Sequence, residues 1–245
     1  MLRPSALGLE FLGRCYDARV VSPTGKFITI EGLDGCGKST QLAKLADFLR
    51  AQGMDVVITR EPGGTPLGDR IRALLLDSAT SGLSPKTEMA LMFAARAQHL
   101  EELILPALAQ GKIVLCDRFT DSTEAYQGGG RELGSGPVLE LHRALCGDIR
   151  PDLTLLMDTD ASLSVARARR RNRDRSSANS DEPNENRFEQ ESRAFFERVR
   201  AAYLGIARRE PDRVIVIDAR GTPDATHQAI VRALEPRLKL RAKTG

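Results

Sequence analysis

The chain has 245 residues, 41% of them hydrophobic, and a formal net charge of +3, which fits one ordinary domain with its own core. No apolar run approaches the roughly 20 residues that a membrane-spanning helix needs. The near-balanced charge also argues against a sequence-independent nucleic-acid binder, whose affinity grows with the number of phosphates it neutralises.

Residues 1–25 lack a long apolar core and are interrupted by Glu10, Arg14 and Asp17. They read as a poorly ordered extension rather than a signal peptide, ahead of a domain expected over 26–240 and a tail at 241–245. A first strand is expected over Phe27–Glu31. "GLDGCGKS", Gly32 to Ser39, follows at once and satisfies G-x-x-x-x-G-K-[ST] between a strand and a helix. Gly32, Gly35 and Gly37 let backbone N–H groups turn inward around phosphate oxygens, and the next helix presents its positive end. Lys38 is then expected on the β- and γ-phosphates and the Ser39 hydroxyl on magnesium, while Cys36 reads as a small loop residue. Leu42, Leu45 and Leu49 recur at helical spacing before Gly53, a helix stop.

Further along, Val56–Thr59 reads as a strand and about Thr87 to Gln110 as one long helix. "IVLCDR" supplies a third strand, Ile113–Asp117, whose terminal carboxylate suits a magnesium shell and whose neighbour Arg118 suits a second phosphate. Leu153–Asp158 and Arg213–Asp218 complete five apolar runs separated by amphipathic ones. That alternation implies a parallel α/β sheet covered by helices on both faces. After the fourth strand and a short helix from about Ala161 comes "RARRRNRDR", Arg167 to Arg175, six arginines in nine residues. The polar interval Ser176 to Asn186 behind it reads as a mobile surface loop.

Cys15, Cys36, Cys116 and Cys146 stand far apart, with neither metal-pair spacing nor a disulfide framework, so a reducing, cytoplasmic setting is expected. His99, His142 and His227 are scattered through helical segments and receive no role. No N-K-x-D element for reading guanine occurs.

The stretches "EGLDGCGKST", "TREPGGT", "FAARAQH", "DRFTDSTEAYQGGGR", "RPDLTLLMD" and "RFEQES..FF..VR..Y" occur in this order between about Lys26 and Leu240. Together they resemble the thymidylate (dTMP) kinase family, of the bacterial type with an arginine-rich lid. The resemblance implies a three-layer P-loop nucleoside-monophosphate kinase fold, with ATP and dTMP as substrates, Mg2+ as cofactor and a homodimer as the assembly, with no nucleic-acid or membrane partner. It implies ATP contacts from Gly32, Leu33, Asp34, Gly35, Cys36, Gly37, Lys38, Ser39 and Thr40, with Asp34 between the two nucleotides. Magnesium would be held by Ser39 and Asp117, partly through water. On the acceptor side Arg118 would hold the dTMP phosphate, Arg96 and Thr123 would read the thymine edge, Tyr126 would exclude a ribose 2′-OH, and Arg60 and Gln127 would lie nearby. Where the family usually stacks a Phe on the base this chain has Met92, so either Met92 or the adjacent Phe93 does so. Asn186 stands where Asp is frequent. The loop before Lys38 carries no cation, so Arg169 and Arg171, with Arg167, are expected to reach the transferring phosphoryl group from a lid at about 167–187, while Arg170, Arg173 and Arg175 face solvent.

Two other classes fit parts of the pattern. A deoxynucleoside kinase would need a carboxylate to take the proton from a sugar hydroxyl, a part open to Glu61, although the Asp117–Arg118 pair argues for a phosphate acceptor. An ATP-binding, nucleic-acid-associated module would use the arginine run as its contact arm but has no need of Arg96, Arg118 and Tyr126.

Overall fold

The computed structural model describes residues 25–77, 80, 82–178 and 187–238, and for 169, 171–178 and 189 the backbone alone. The expected extension up to residue 24, the polar residues 179–186 and the C-terminal tail lie outside the described residues.

Five strands form one parallel sheet: β1 (Lys26–Gly32), β2 (Val56–Arg60), β3 (Ile113–Asp117), β4 (Leu153–Asp158) and β5 (Val214–Asp218), in the order β2-β3-β1-β4-β5. Each lies within a residue or so of its expected position. β1 is central, and from Phe27 to Gly32 every residue is buried. The chain leaves β1 toward β2 and later crosses over to β4 on the other side of it. The order therefore reverses beside β1, and the crevice at the carboxyl ends of β1 and β3 is where α/β sheets of this kind take ligands.

Helix α1 (Lys38–Ala51) starts at Gly37, whose left-handed φ of 99° turns the chain out of the loop. Its Leu42, Leu45 and Leu49 pack with Ile28 and Ile30 of β1. From the chain's end, Ile230 and Leu234 of the last helix join this layer. On the opposite face Phe27 meets Phe93, Leu100, Ile104 and Phe119, while Phe195, Phe196, Val199 and Tyr203 cover Leu156 and Val214.

Helices α2 (Pro66–Leu76) and α3 (Pro85–His99) both begin with proline at N1. Thr65 Oγ1 accepts from Gly68 N at 3.0 Å and Ser84 Oγ from Thr87 N at 3.2 Å, two side-chain N-caps. The single helix expected over Thr87–Gln110 is instead α3, a π-helical stretch at Leu100–Ile104 and α4 (Leu105–Ala109). Pro106 supplies the reason: its nitrogen has no hydrogen to give and its ring crowds the carbonyl four residues back, so the turn before it widens.

A second widened stretch, Glu124–Gly130, follows the short α5 (Thr120–Thr123), and α6 (Ser135–Cys146) leads into β4. Helix α7 (Ala161–Ala178) is a further correction. The short helix expected before the arginine run continues through all of Arg167 to Arg175 and on to Ala178, so the first three residues of the expected surface loop, 176–178, are helical. Helices α8 (Arg193–Arg209) and α9 (Pro223–Leu238) complete the layers. Cys36, Cys116 and Cys146 are buried and free. Among the described residues no helix is long and apolar enough to cross a membrane.

Candidate active site

The glycine loop between β1 and α1 has the expected shape. Gly32, Gly35 and Gly37 hold φ angles of 134°, 83° and 99°, a region open to glycine and strained for other residues. Leu33 and Cys36 are buried beneath the loop, and Ser39 and Thr40 are exposed on the first turn of α1. Burial raises the Cys36 thiol pKa, which keeps it protonated and inert. Lys38 is only 6% exposed, and its Nζ donates to the carbonyls of Gly32 at 3.1 Å and Leu33 at 2.8 Å, with Asp34 Oδ1 at 3.9 Å.

Arg118 follows β3 with a φ of 74°, strained for a residue with a Cβ. Two bonds to β1 hold this backbone: Arg118 N donates to Ile30 O at 3.1 Å, and Phe119 N donates to Glu31 Oε1 at 2.7 Å. Arg118 Nη2 donates to Asp34 Oδ1 at 2.6 Å and Tyr126 OH at 3.2 Å, and Tyr126 OH donates to Asp34 Oδ2 at 3.1 Å. Arg118 Nη1 donates to Ser122 Oγ at 3.0 Å and Tyr203 OH at 3.1 Å. The Asp34 carboxyl feels burial, which would raise its pKa, but Arg118 and Lys38 outweigh it and hold the group well below the ordinary carboxylate range. Glu31 behaves oppositely. Burial and the nearby Asp121 push it up to about 7, against Arg118 and the bonds from Ser122 and Phe119 N.

A second cluster sits beside the first. Arg96 on α3 is 2% exposed; its Nε donates to Glu61 Oε2 at 2.7 Å and its Nη2 to Thr123 Oγ1 at 2.9 Å. Its Nη1 is buried with no partner in the protein. The guanidinium lies over the rings of Phe93 and Phe119, at 4.7 and 5.1 Å from their centroids. Phe93 is therefore core beneath Arg96, while Met92 is half-buried in the cluster that contains Tyr126. The other Glu61 oxygen meets His99 Nδ1 at 2.9 Å, and His99 Nε2 meets Thr59 Oγ1 at 2.6 Å. His99, given no role from sequence, is thus a buried strut behind Arg96. Glu61, considered as a base, has both oxygens engaged and is 4% exposed.

Gln127 Nε2 donates to Glu88 Oε1 at 2.7 Å, and Glu88 also receives Arg131 Nη2 at 3.1 Å and Arg187 Nη2 at 2.7 Å. Glu88 is fully buried; burial would raise its pKa, but the hydrogen bonds from Arg131, Gln127 and Arg187 leave it lowered. It ties α3, the Glu124–Gly130 stretch and residue 187 together, a role that no local signal announces. Arg60 ends β2 beside Asp117 in register, is exposed, and reaches Asp69 Oδ1 at 3.3 Å.

The arginine helix touches the glycine loop directly. A Cβ built on Gly35 would lie 2.3 Å from Ser164 O, 2.9 Å from Ala168 N and 3.2 Å from Arg167 Cβ. Arg167 is exposed at that contact. Arg170 is exposed, and the side chains of residues 169 and 171–175 fall outside what the structure describes.

For a magnesium ion the donors present are of the right kind. Asp117 Oδ1 is buried with no partner in the protein, and the Ser39 hydroxyl stands exposed on α1. Among the described residues no three His, Cys, Asp or Glu side chains gather into a cage. Magnesium takes one or two protein oxygens, which Asp117 and Ser39 could supply, and completes its shell with phosphate and water.

Comparison with known proteins places the whole domain in one family. A family model described as "Thymidylate kinase" matches residues 30–230. The thymidylate kinase of Pseudomonas syringae pv. syringae (strain B728a) is 52% identical over 215 residues, covering 88% of this chain and 97% of the relative. That of Geobacter sulfurreducens is 49% identical over 218 residues, covering 89% and 100%. The crystal structure of thymidylate kinase from Ehrlichia chaffeensis superposes with a TM-score of 0.67 at 33% identity, covering 86% of this chain and 98% of that one.

Proposed function

The chain belongs to the thymidylate kinase family, and from that premise we propose that it transfers the terminal phosphoryl group of ATP to dTMP, giving dTDP and ADP for dTTP synthesis, with the residues in the following roles. The glycine loop cradles the ATP phosphates, and Lys38 exchanges its bonds to the Gly32 and Leu33 carbonyls for phosphate oxygens. Arg118 holds the acceptor phosphate, with Asp34 between the two nucleotides. The Arg96 Nη1 that has no protein partner donates to the thymine edge beside Thr123. Met92 supplies the face against the base, Tyr126 and Gln127 line the sugar side, and Arg60 closes the rim.

Magnesium would be held by Ser39 and Asp117 and would neutralise charge on the ATP phosphates. A phosphate monoester has its second pKa at about 6, so the attacking oxygen is ionised near neutrality and no general base is required. Alignment and cations then carry the reaction, and the lid arginines, Arg167 with Arg169 and Arg171, supply the charge that the glycine loop lacks. A homodimer is the expected assembly.

The observation that carries the reading is the second cationic pocket: Arg118 beside the glycine loop and Arg96 behind it, each fixed by a carboxylate. Glu61, engaged on both oxygens, is in no position to deprotonate a sugar hydroxyl. The deciding experiment is coupled detection of ADP with dTMP, dUMP, dCMP and thymidine as acceptors. dTMP should be preferred and thymidine inert; turnover with thymidine equal to that with dTMP would reverse the assignment.

A further inference from the structure

We infer that Glu31, the penultimate residue of β1, is a positioning residue for the acceptor phosphate, acting on Arg118 through the hydroxyls of Ser122 and Tyr203. Glu31 is fully buried and takes no part in the proposed chemistry. Its Oε2 accepts from Ser122 Oγ at 2.5 Å and from Tyr203 OH at 3.0 Å, and both of those hydroxyls accept from Arg118 Nη1. Each hydroxyl therefore relays a guanidinium N–H to the carboxylate. Its Oε1 accepts from Phe119 N and so secures the peptide after the strained Arg118 backbone. One side chain thus fixes both the main chain and the head group of Arg118, while Asp34 holds only the Nη2 end.

The carboxylate is needed because both of its oxygens must accept. An amide at this position presents its NH2 either to Phe119 N–H or to the two hydroxyls, so one side of the clamp opens in either orientation. A non-glycine residue at positive φ persists only where its surroundings over-determine it, and guanidinium placement should loosen with the clamp.

This inference rests on the reading that Arg118 holds the dTMP phosphate, and the test separates the two. Binding of dTMP and of ATP is measured by calorimetry at pH 8 for the wild type, Glu31→Gln, Tyr203→Phe, the double variant and Arg118→Lys. Glu31→Gln should weaken dTMP about tenfold, the scale of one hydrogen bond to a charged group, and leave ATP within about twofold. Because both residues act along one path, adding Glu31→Gln to Tyr203→Phe should have a smaller effect than adding it to the wild type. An unchanged dTMP affinity in Glu31→Gln, alongside a loss in Arg118→Lys, overturns the role of Glu31 alone. Equal losses for ATP and dTMP, or strict additivity in the double variant, also overturn it. An unchanged dTMP affinity in Arg118→Lys overturns the underlying reading of Arg118.

Discussion

Arg118 and Asp34, 84 positions apart in the chain, meet at 2.6 Å where the ends of β3 and β1 converge. The pair is only partly shielded, with side chains 14% and 29% exposed, so water and ligands can reach it. Asp34→Asn should keep the fold, since Arg118 can still donate to the amide oxygen while the Tyr126 hydroxyl accepts from the amide NH2, but turnover should fall by at least about tenfold through loss of a charge-assisted bond. Steady-state kinetics alongside near-UV circular dichroism checks this; unchanged turnover would remove Asp34 from the reacting centre.

For Arg96 the structure adds an expected stability effect to the proposed part in base recognition. Arg96→Ala leaves the Glu61 carboxylate buried without its cation, a change that typically removes about 3–5 kcal/mol. Denaturant unfolding should show a loss of that order. In the fraction that stays folded, dTMP should weaken while ATP is nearly unaffected.

Glu31 makes one pH dependence specific. Its folded pKa, about 7, lies above the ordinary 4.5, so the native state holds an extra proton between those values. The contribution of Glu31 to stability is then fullest below about 4.5 and declines as pH rises through 7. The groups facing it are Asp121, Arg118, Ser122, Tyr203 and the Phe119 amide. Relative to Glu31→Gln, which has no such proton, the wild type should lose up to about 3 kcal/mol between pH 4.5 and 8. Urea unfolding of both proteins across that range would show the wild-type stability falling relative to that of the variant as pH rises, and parallel curves would exclude titration of Glu31 there.

Replacing Arg167, Arg169 and Arg171 together by alanine should cut kcat by about 10³ or more, as for arginines donated to other phosphoryl transfers, and keep dTMP affinity within a few-fold. Rapid-quench measurement of the transfer step tests it. A triple variant with normal turnover but lost RNA or DNA binding at low salt would instead make the helix a nucleic-acid arm.

Glu88→Ala should be strongly destabilising, because it removes the buried carboxylate shared by Arg131 and Arg187, which are 17% and 12% exposed, and leaves Arg131 on Glu191 and Arg187 on the Leu75 carbonyl. A loss of about 3 kcal/mol predicts a fall in Tm of about 6 °C or more for a chain of this size. Scanning calorimetry would read it directly.

What could be read from the sequence follows contact distance. The glycine loop is contiguous, so its spacing alone announces Gly32 to Ser39, and the five strands are announced by apolar runs long enough to be buried on both faces. Asp117 and Arg118 are legible because they end such a run. Glu31, Ser122 and Tyr203 are not, since their meaning arises from contacts spanning 91 and 172 positions, and a lone buried glutamate in a strand has no local signature. His99 and Glu61 are likewise joined only by the fold. The widened turn at Leu100–Ile104 has a local signature, since Pro106 lies inside the expected helix.

The close approach of Gly35 to α7 has a consequence for heredity as well as for shape. With no room for a Cβ between the loop and the Ser164 carbonyl, a charge cannot be introduced at residue 35 by one substitution while the helix stays where it is. Changes at 35 and along 164–168 should therefore show strong epistasis. A lineage that moved its catalytic cation from helix to loop would have to pass through displaced-helix intermediates, or shift the helix first.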